Sequence, residues 1–235
     1  IDIAYNDYAE NACITGSTLE AVEKRLEKLG REIKKYTLVC VAHAHIDMNW
    51  MWGYDETISV TVNTFSTMLD LMDEYPDFCF SQSQASTYEI IEKYAPELLP
   101  RIKQRVKEGR WELSAVNWVE ADKNMPNLES FARHILLTKD YLSKLFDVDK
   151  DDLCLDFEPD TFGHSLFIPE ILAEGNVKYY YQHRGIELVG PYRWKSPSGK
   201  EVIGYAESQG YNADIMPGQL MCASFNAFPY LFKSS

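Results

Sequence analysis

The chain has 235 residues, enough for one sizeable core, and its 46% hydrophobic and 25% charged content is that of an ordinary globular protein. A formal net charge of −13 argues against nucleic acid or an anionic membrane surface as a partner, because phosphate contacts need clustered Lys and Arg. The apolar runs are strand-sized and no basic-then-apolar signal segment opens the chain, so no membrane span is expected. Cys13, Cys40, Cys79, Cys154 and Cys222 are scattered without C-x-x-C spacing. Free thiols in a reducing cytoplasm are therefore expected.

In chain order, Ser17 to Tyr36 has capping-box spacing at its start and Leu19, Val22, Leu26, Leu29 and Ile33 at helical intervals. The apolar run Leu38–Ala42 predicts a buried strand. A helix follows over about 55–75, with Ile58, Val62, Phe65, Met68, Leu69 and Met72 on one side and Pro76 as its stop. A strand is expected at Phe78–Phe80, then helical segments to Lys107 with breaks near Pro96 and Pro100, then a strand at Trp111–Val116. The pattern continues with a helix over 128–146, a strand at Leu153–Phe157, a helix over 168–173, a strand at Lys178–Tyr181 and a hairpin joining Tyr192–Trp194 to Val202–Tyr205. Strand and helix alternating at this spacing predict parallel βαβ units, an α/β fold. Beyond Glu207 the periodicity fades, and both ends read as cut from a longer polypeptide.

Parallel α/β folds collect ligands at the C-terminal ends of their strands. Four groups of polar residues follow strand-like runs here: His45 and Asp47; Asn117, Glu120 and Asp122; Asp160; His183 and Arg184. On an extended segment His43, His45 and Asp47 share one side. Imidazole and carboxylates at two strand mouths suit one divalent cation, zinc first, with cobalt as an alternative. His43 is expected to support or pack, His164 to fix its loop, Glu158 to hydrogen-bond neighbouring loops, and Trp111 and Trp194 to pack.

Three blocks, His43-Ala-His-Ile-Asp-Met-Asn-Trp50, Trp118-Val-Glu-Ala-Asp122 and Asp160-Thr-Phe-Gly-His-Ser165, resemble in order and spacing the N-terminal catalytic domain of glycoside hydrolase family 38, the retaining α-mannosidases. The similarity runs from about Tyr36 to Tyr205. It implies a seven-stranded, possibly incomplete, parallel α/β barrel of the type shared with polysaccharide deacetylases, with residues 1–36 as a helical lead-in and 37–235 as the barrel, truncated at its C-terminal side. It implies zinc held by His45, Asp47 and Asp160, with Asp160 also the catalytic nucleophile. Trp50, Phe162 and Arg184 would line the sugar site, and Tyr211 is a further placement on slighter grounds. The implied partner is an α-mannoside or mannose-containing oligosaccharide, and oligomeric state, including a homo-oligomer, is left open. The family usually has proline where Thr161 stands. Its fourth metal ligand and its general acid/base lie later than residue 235, so the rest of the polypeptide would supply them and the isolated chain would have little activity. Two other classes compete: a metal-dependent carbohydrate deacetylase, which would normally show a His-x-x-x-His pair absent here, and an inactive carbohydrate- or metal-binding module.

Overall fold

The computed structural model describes residues 2–33, 35, 42–185 and 187–207. The chain divides into two compact units, 1–40 and 41–235. In the first, α1 (Asp2–Asn11) precedes α2 (Gly16–Ile33). The Asp7 carboxylate accepts hydrogen bonds from the Thr15 backbone N–H and hydroxyl, each at 2.7 Å, which fixes the turn between them. The expected end of the second helix, Tyr36, lies outside the described residues.

The second unit holds two sheets. In the first, β1 (Ala42–His43), β2 (Phe80–Gln82) and β3 (Trp111–Leu113) pair in parallel in that order. In the second, β4 (Leu155–Glu158), β5 (Tyr179–Gln182), β6 (Gly190–Lys195) and β7 (Glu201–Ala206) are arranged β4-β5-β7-β6. There β4, β5 and β7 are parallel, and β6 runs antiparallel to β7 as the expected hairpin requires. The α/β class is thus present. The described strands pair as one three-stranded and one four-stranded sheet rather than as a single closed ring, and β6 departs from an all-parallel arrangement. Most of the strand expected at 38–42 lies outside the described residues.

Helices connect the strands, and their sequences explain their limits. In α3 (Tyr54–Glu74), Phe65, Leu69 and Met72 fall one turn apart and are buried. Asp55 and Glu56 sit in its first turn, where the helix dipole favours negative charge, and Pro76 follows its end. The break between α4 (Ala85–Tyr94) and α5 (Leu99–Lys107) falls at Ala95, ahead of a short 3-10 turn at Pro96–Leu98. Pro100 does not break anything: it occupies the first turn of α5, where a missing N–H costs no helical bond. For α6 (Leu128–Phe146), Asn127 caps the start by accepting from Ser130 N–H at 2.9 Å, and Asp147 stops it in a left-handed conformation. α7 (Ile168–Glu174) leads into β5.

The core runs from the first sheet and α3, α4 and α6 to the second sheet and α7, where Ile168, Leu172, Tyr180 and Val202 are buried. Trp111 packs its ring 5.0 Å from Phe65 and 4.8 Å from Phe80, and its indole N–H donates to the Tyr88 hydroxyl at 3.1 Å. That hydroxyl donates in turn to Gln82 O at 3.2 Å. Each buried polar tip therefore has a partner, as burial requires. The rigid layer leaves the loops after β1, β2, β3, β4 and β5 at the same end of their parallel strands.

Candidate metal centre

The loop after β1 is shaped from below by Thr57 in the first turn of α3. Its hydroxyl donates to Asp47 O at 3.2 Å and accepts the Trp52 indole N–H at 3.0 Å and the Asn49 N–H at 3.3 Å. Asn49 takes φ 53°, a left-handed value that Asn tolerates. From β2, the buried Gln84 donates to Ile46 O at 2.8 Å and accepts the Glu120 N–H at 3.0 Å. Gln84 itself stands at φ 67°, a strained value that these two bonds hold in place.

The loop after β4 is anchored at both ends. Glu120 accepts the Asp160 N–H at 2.6 Å, and Gly163 O accepts the Lys123 N–H at 2.9 Å. A Cβ on Gly163 would lie 2.4 Å from Asn124 Nδ2 and 2.8 Å from Asp122 Oδ1, so any larger residue would have to push both side chains aside. His164 contacts Arg184 O through Nε2 at 3.0 Å and the Tyr180 hydroxyl through Nδ1 at 2.7 Å. The carbonyl can only accept, so Nε2 carries the proton and Nδ1 accepts from Tyr180. His164 thereby fixes its loop and the backbone of Arg184 together.

At the mouth these loops bring three of the expected residues together. His45, Asp47 and Asp160 each offer a ligand atom, and these atoms lie within 4.8 Å of one another. Among the described residues no other His, Cys, Asp or Glu trio does so. One imidazole nitrogen and two carboxylate oxygens form a donor set suited to zinc or another divalent first-row ion, and the residues present fit such an ion. His45 Nε2 lies 3.1 Å from Asp47 Oδ1, and Nδ1 lies 3.0 Å from Glu120 Oε2. Arg184 Nε donates to Asp160 Oδ1 at 2.6 Å, and its Nη2 pairs with the same oxygen. The guanidinium stands 4.6 Å over the exposed Phe162 ring. The cleft above measures about 330 Å³ and is lined by His45, Asp47, Glu120, Asp122, Asp160 and Phe162 among others. That is the low end of the roughly 300–1,000 Å³ of ligand clefts.

The two neighbouring histidines differ in charge preference. Burial opposes an imidazolium at His45, but the hydrogen bond and charge of Glu120, with Asp47 beside it, raise it to about 9. Burial presses His43 down to about 3, helped by the adjacent His45, although Ser81 O at 3.0 Å pulls the other way. His43 also packs against Phe157, ring centroids 4.3 Å apart.

Beneath the mouth lies a sealed charged cluster. Lys123 Nζ is 2.6 Å from Glu158 Oε1 and 3.5 Å from Asp156 Oδ2, with every member at most 2% exposed. Asn117 donates to both carboxylates. Burial drives the Asp156 carboxyl well up, against the pull of Lys123, whereas Lys123 keeps Glu158 low despite its burial. The Thr161 hydroxyl lies between the clusters, 3.0 Å from Glu120 Oε1 and in close contact with Glu158 Oε2.

The other expected positions divide. Arg184 and Phe162 stand at Asp160 as described. Trp50 is exposed and sits edge-on to Trp52 at 5.3 Å, outside the residues lining the cleft. Tyr211 lies outside the described residues. His183 bonds to Glu207 O at 3.1 Å. Trp111 and Trp194 pack, the latter 4.9 Å from Tyr180. The sequence alone gives no part to Gln84, Thr57 or Lys123, and it marks Glu120 as a polar residue after a strand, within the Trp118–Asp122 block, without a role of its own.

Comparison with known proteins gives the chain's family. The model of the glycosyl hydrolases family 38 N-terminal domain matches residues 35–230. Alpha-mannosidase G of Dictyostelium discoideum is 38% identical over 148 residues, which cover 63% of this chain and 12% of that protein. Human alpha-mannosidase 2C1 is 32% identical over 176 residues, 72% of this chain and 16% of that protein. The chain thus spans under a fifth of either relative. The crystal structure of an alpha-mannosidase from Enterococcus faecalis V583 superposes with a TM-score of 0.70 at 20% identity, covering 80% of this chain and 22% of that one; this likeness is one of fold.

Proposed function

The chain belongs to the glycosyl hydrolases of family 38, in their N-terminal domain, and from that premise we propose that it carries the nucleophile-bearing, metal-binding half of a retaining α-mannosidase site. The observation that carries this is the convergence of His45, Asp47 and Asp160 within 4.8 Å at the ends of two different sheets. The alpha-mannosidase names of the relatives support the substrate class, terminal α-mannosides.

His45, Asp47 and Asp160 would hold one divalent ion, zinc by choice of donors. When bound, it supplies a Lewis-acid anchor for adjacent sugar hydroxyls. Asp160 attacks the anomeric carbon and forms a glycosyl-aspartate ester while the glycosidic C–O bond breaks. The departing oxygen takes a proton from a second carboxyl group, which retaining enzymes hold roughly 5–5.5 Å from the nucleophile. Glu158 is sealed against Lys123 and cannot serve; that acid is assigned to the polypeptide beyond residue 235. Water then cleaves the ester and returns Asp160. Arg184 grips one oxygen of Asp160 and so orients the other. The exposed faces of Trp50 and Phe162 offer apolar platforms to a sugar ring, and Tyr211 is assigned to the same site.

The two sheets are proposed as arcs of one barrel, with 1–36 a lead-in and 37–235 part of the catalytic domain. Side chains that link β4 to the first sheet and its loops support this: His43 with Phe157, and Asn117 with Asp156 at 2.5 Å and with Glu158 at 2.8 Å. Cys13, Cys79 and Cys154 are free thiols, which supports a reducing, cytoplasmic setting.

The test is to inactivate the intact polypeptide carrying this chain with a slow fluorinated mannoside and locate the label by peptide mass spectrometry. A label on Asp160 is expected. A label on any other residue overturns the assignment.

A further inference from the structure

Glu120 touches both halves of the candidate metal centre. It sits in the loop after β3, in neither ligand segment. Its Oε2 lies 3.0 Å from His45 Nδ1, in the loop of the first sheet. Its Oε1 accepts the backbone N–H of Asp160 at 2.6 Å, in the loop of the second. Its own N–H is held by Gln84, whose side chain also grips Ile46 O between His45 and Asp47.

The geometry points to Glu120 as the positioning residue that sets His45 and Asp160 in register for a divalent cation. This rests on the metal reading given above. A proton on Nδ1, which stands 3.0 Å from Glu120 Oε2, would leave Nε2, the nitrogen facing Asp47, as the ligand nitrogen. The other oxygen pins the main chain from which the Asp160 carboxylate projects. The two grips need two acceptors pointing apart, which a carboxylate has. A glutamine has one acceptor: whichever way its amide faces, an NH₂ group meets either the His45 N–H or the Asp160 N–H. Thr161 completes the arrangement, its hydroxyl 3.0 Å from the Asp160-facing oxygen.

The experiment titrates the purified chain with Zn²⁺ by calorimetry and with Co²⁺ by its visible d–d absorption, for wild type, Glu120→Gln, Glu120→Ala and the ligand control Asp47→Ala. Urea midpoints separate lost folding from lost binding. Partners that orient a metal ligand typically contribute about 10–100-fold to affinity. Glu120→Gln is expected to weaken both ions by that factor with its fold intact and to shift the Co²⁺ spectrum. In metal-free protein, the downfield proton resonance of His45 Nδ1–H is expected in wild type and lost in Glu120→Ala. Wild-type affinity and an unchanged Co²⁺ spectrum in folded Glu120→Gln overturn this proposal alone. Absence of binding by wild type overturns the metal reading and this proposal with it.

Discussion

Two clusters of carboxylates flank Thr161, one open to solvent and one sealed. In the open cluster the side chains of His45, Glu120, Asp160 and Asp47 are 11%, 7%, 23% and 33% exposed, whereas Lys123, Glu158 and Asp156 below are 1%, 1% and 2% exposed. The ingredients are alike: acids, with a cationic nitrogen among them. Their surroundings decide what they can do. The sealed cluster is paired internally: Lys123 faces Glu158, whose carboxyl it holds low, and Asp156, whose carboxyl burial pushes well up. The open cluster gathers three acidic side chains about one imidazole and one arginine, with a cleft above them. It has the surplus of acceptors that a cation would satisfy.

Breaking the sealed cluster is expected to cost the most. Glu158→Gln or Lys123→Ala leaves a buried charge without its counter-ion, a loss of about 3–5 kcal/mol. Urea denaturation of both variants measures it, and a loss below about 1 kcal/mol for either would show that the cluster is solvated.

Next comes pH, where the two histidines pull in opposite directions in metal-free protein. His45 is raised to about 9, so its contribution is fully present below pH 6.5 and is lost as pH rises from 6.5 to about 9. At about 1.4 kcal/mol per pKa unit this is roughly 3.5 kcal/mol at most. His43 is lowered to about 3, so its neutral form supports the fold above pH 6.5 and stability falls as pH drops below that value. Unfolding of the chain in a chelator as a function of pH, with His45→Ala alongside, tests the first claim. The variant's stability should no longer decline between pH 6.5 and 9, and an unchanged slope would remove Glu120 and Asp47 as the cause.

A smaller effect sharpens the contrast within the sealed cluster. Burial pushes the Asp156 carboxyl well up, towards its neutral form, so Asp156→Asn should cost only about 0.5–1.5 kcal/mol, the scale of one perturbed hydrogen bond. Equal losses in Asp156→Asn and Glu158→Gln would mean that both carboxyls are charged. Smallest of all, Trp50→Ala at the exposed rim should change stability by no more than about 0.5 kcal/mol. It should instead weaken mannoside binding by the intact polypeptide, read as a raised KM.

The open cluster was largely legible in the sequence, while the sealed one was not, and the reason is distance along the chain. His-x-Asp after an apolar run and Asp-Thr-Phe-Gly-His after another are local patterns, readable at the mouths of two strands even though residues from other elements hold both loops. The limits of α6 and the β6–β7 hairpin were equally local, set by Asn127 and by the turn around Gly199. The Lys123–Glu158 pair and the grip of Glu120 on Asp160 join residues 35 and 40 positions apart. Neither residue announces its partner: a lysine after a strand reads as a solvated loop residue until the second sheet seals it. Gln84 was invisible for another reason. A glutamine at positive φ has no sequence signal, and only the bonds to Ile46 and Glu120 reveal its use. Pro100 misled because proline breaks a helix interior but suits a first turn, and the sequence alone did not say which turn it would occupy.

The central claim is that the open cluster holds one metal ion through His45, Asp47 and Asp160. Anomalous diffraction at the zinc edge, from crystals of the chain grown with Zn²⁺, tests it most directly. The account predicts one strong peak about 2.0–2.2 Å from an imidazole nitrogen of His45 and from one oxygen each of Asp47 and Asp160. A zinc peak bound by other residues, with none among these three, would contradict it.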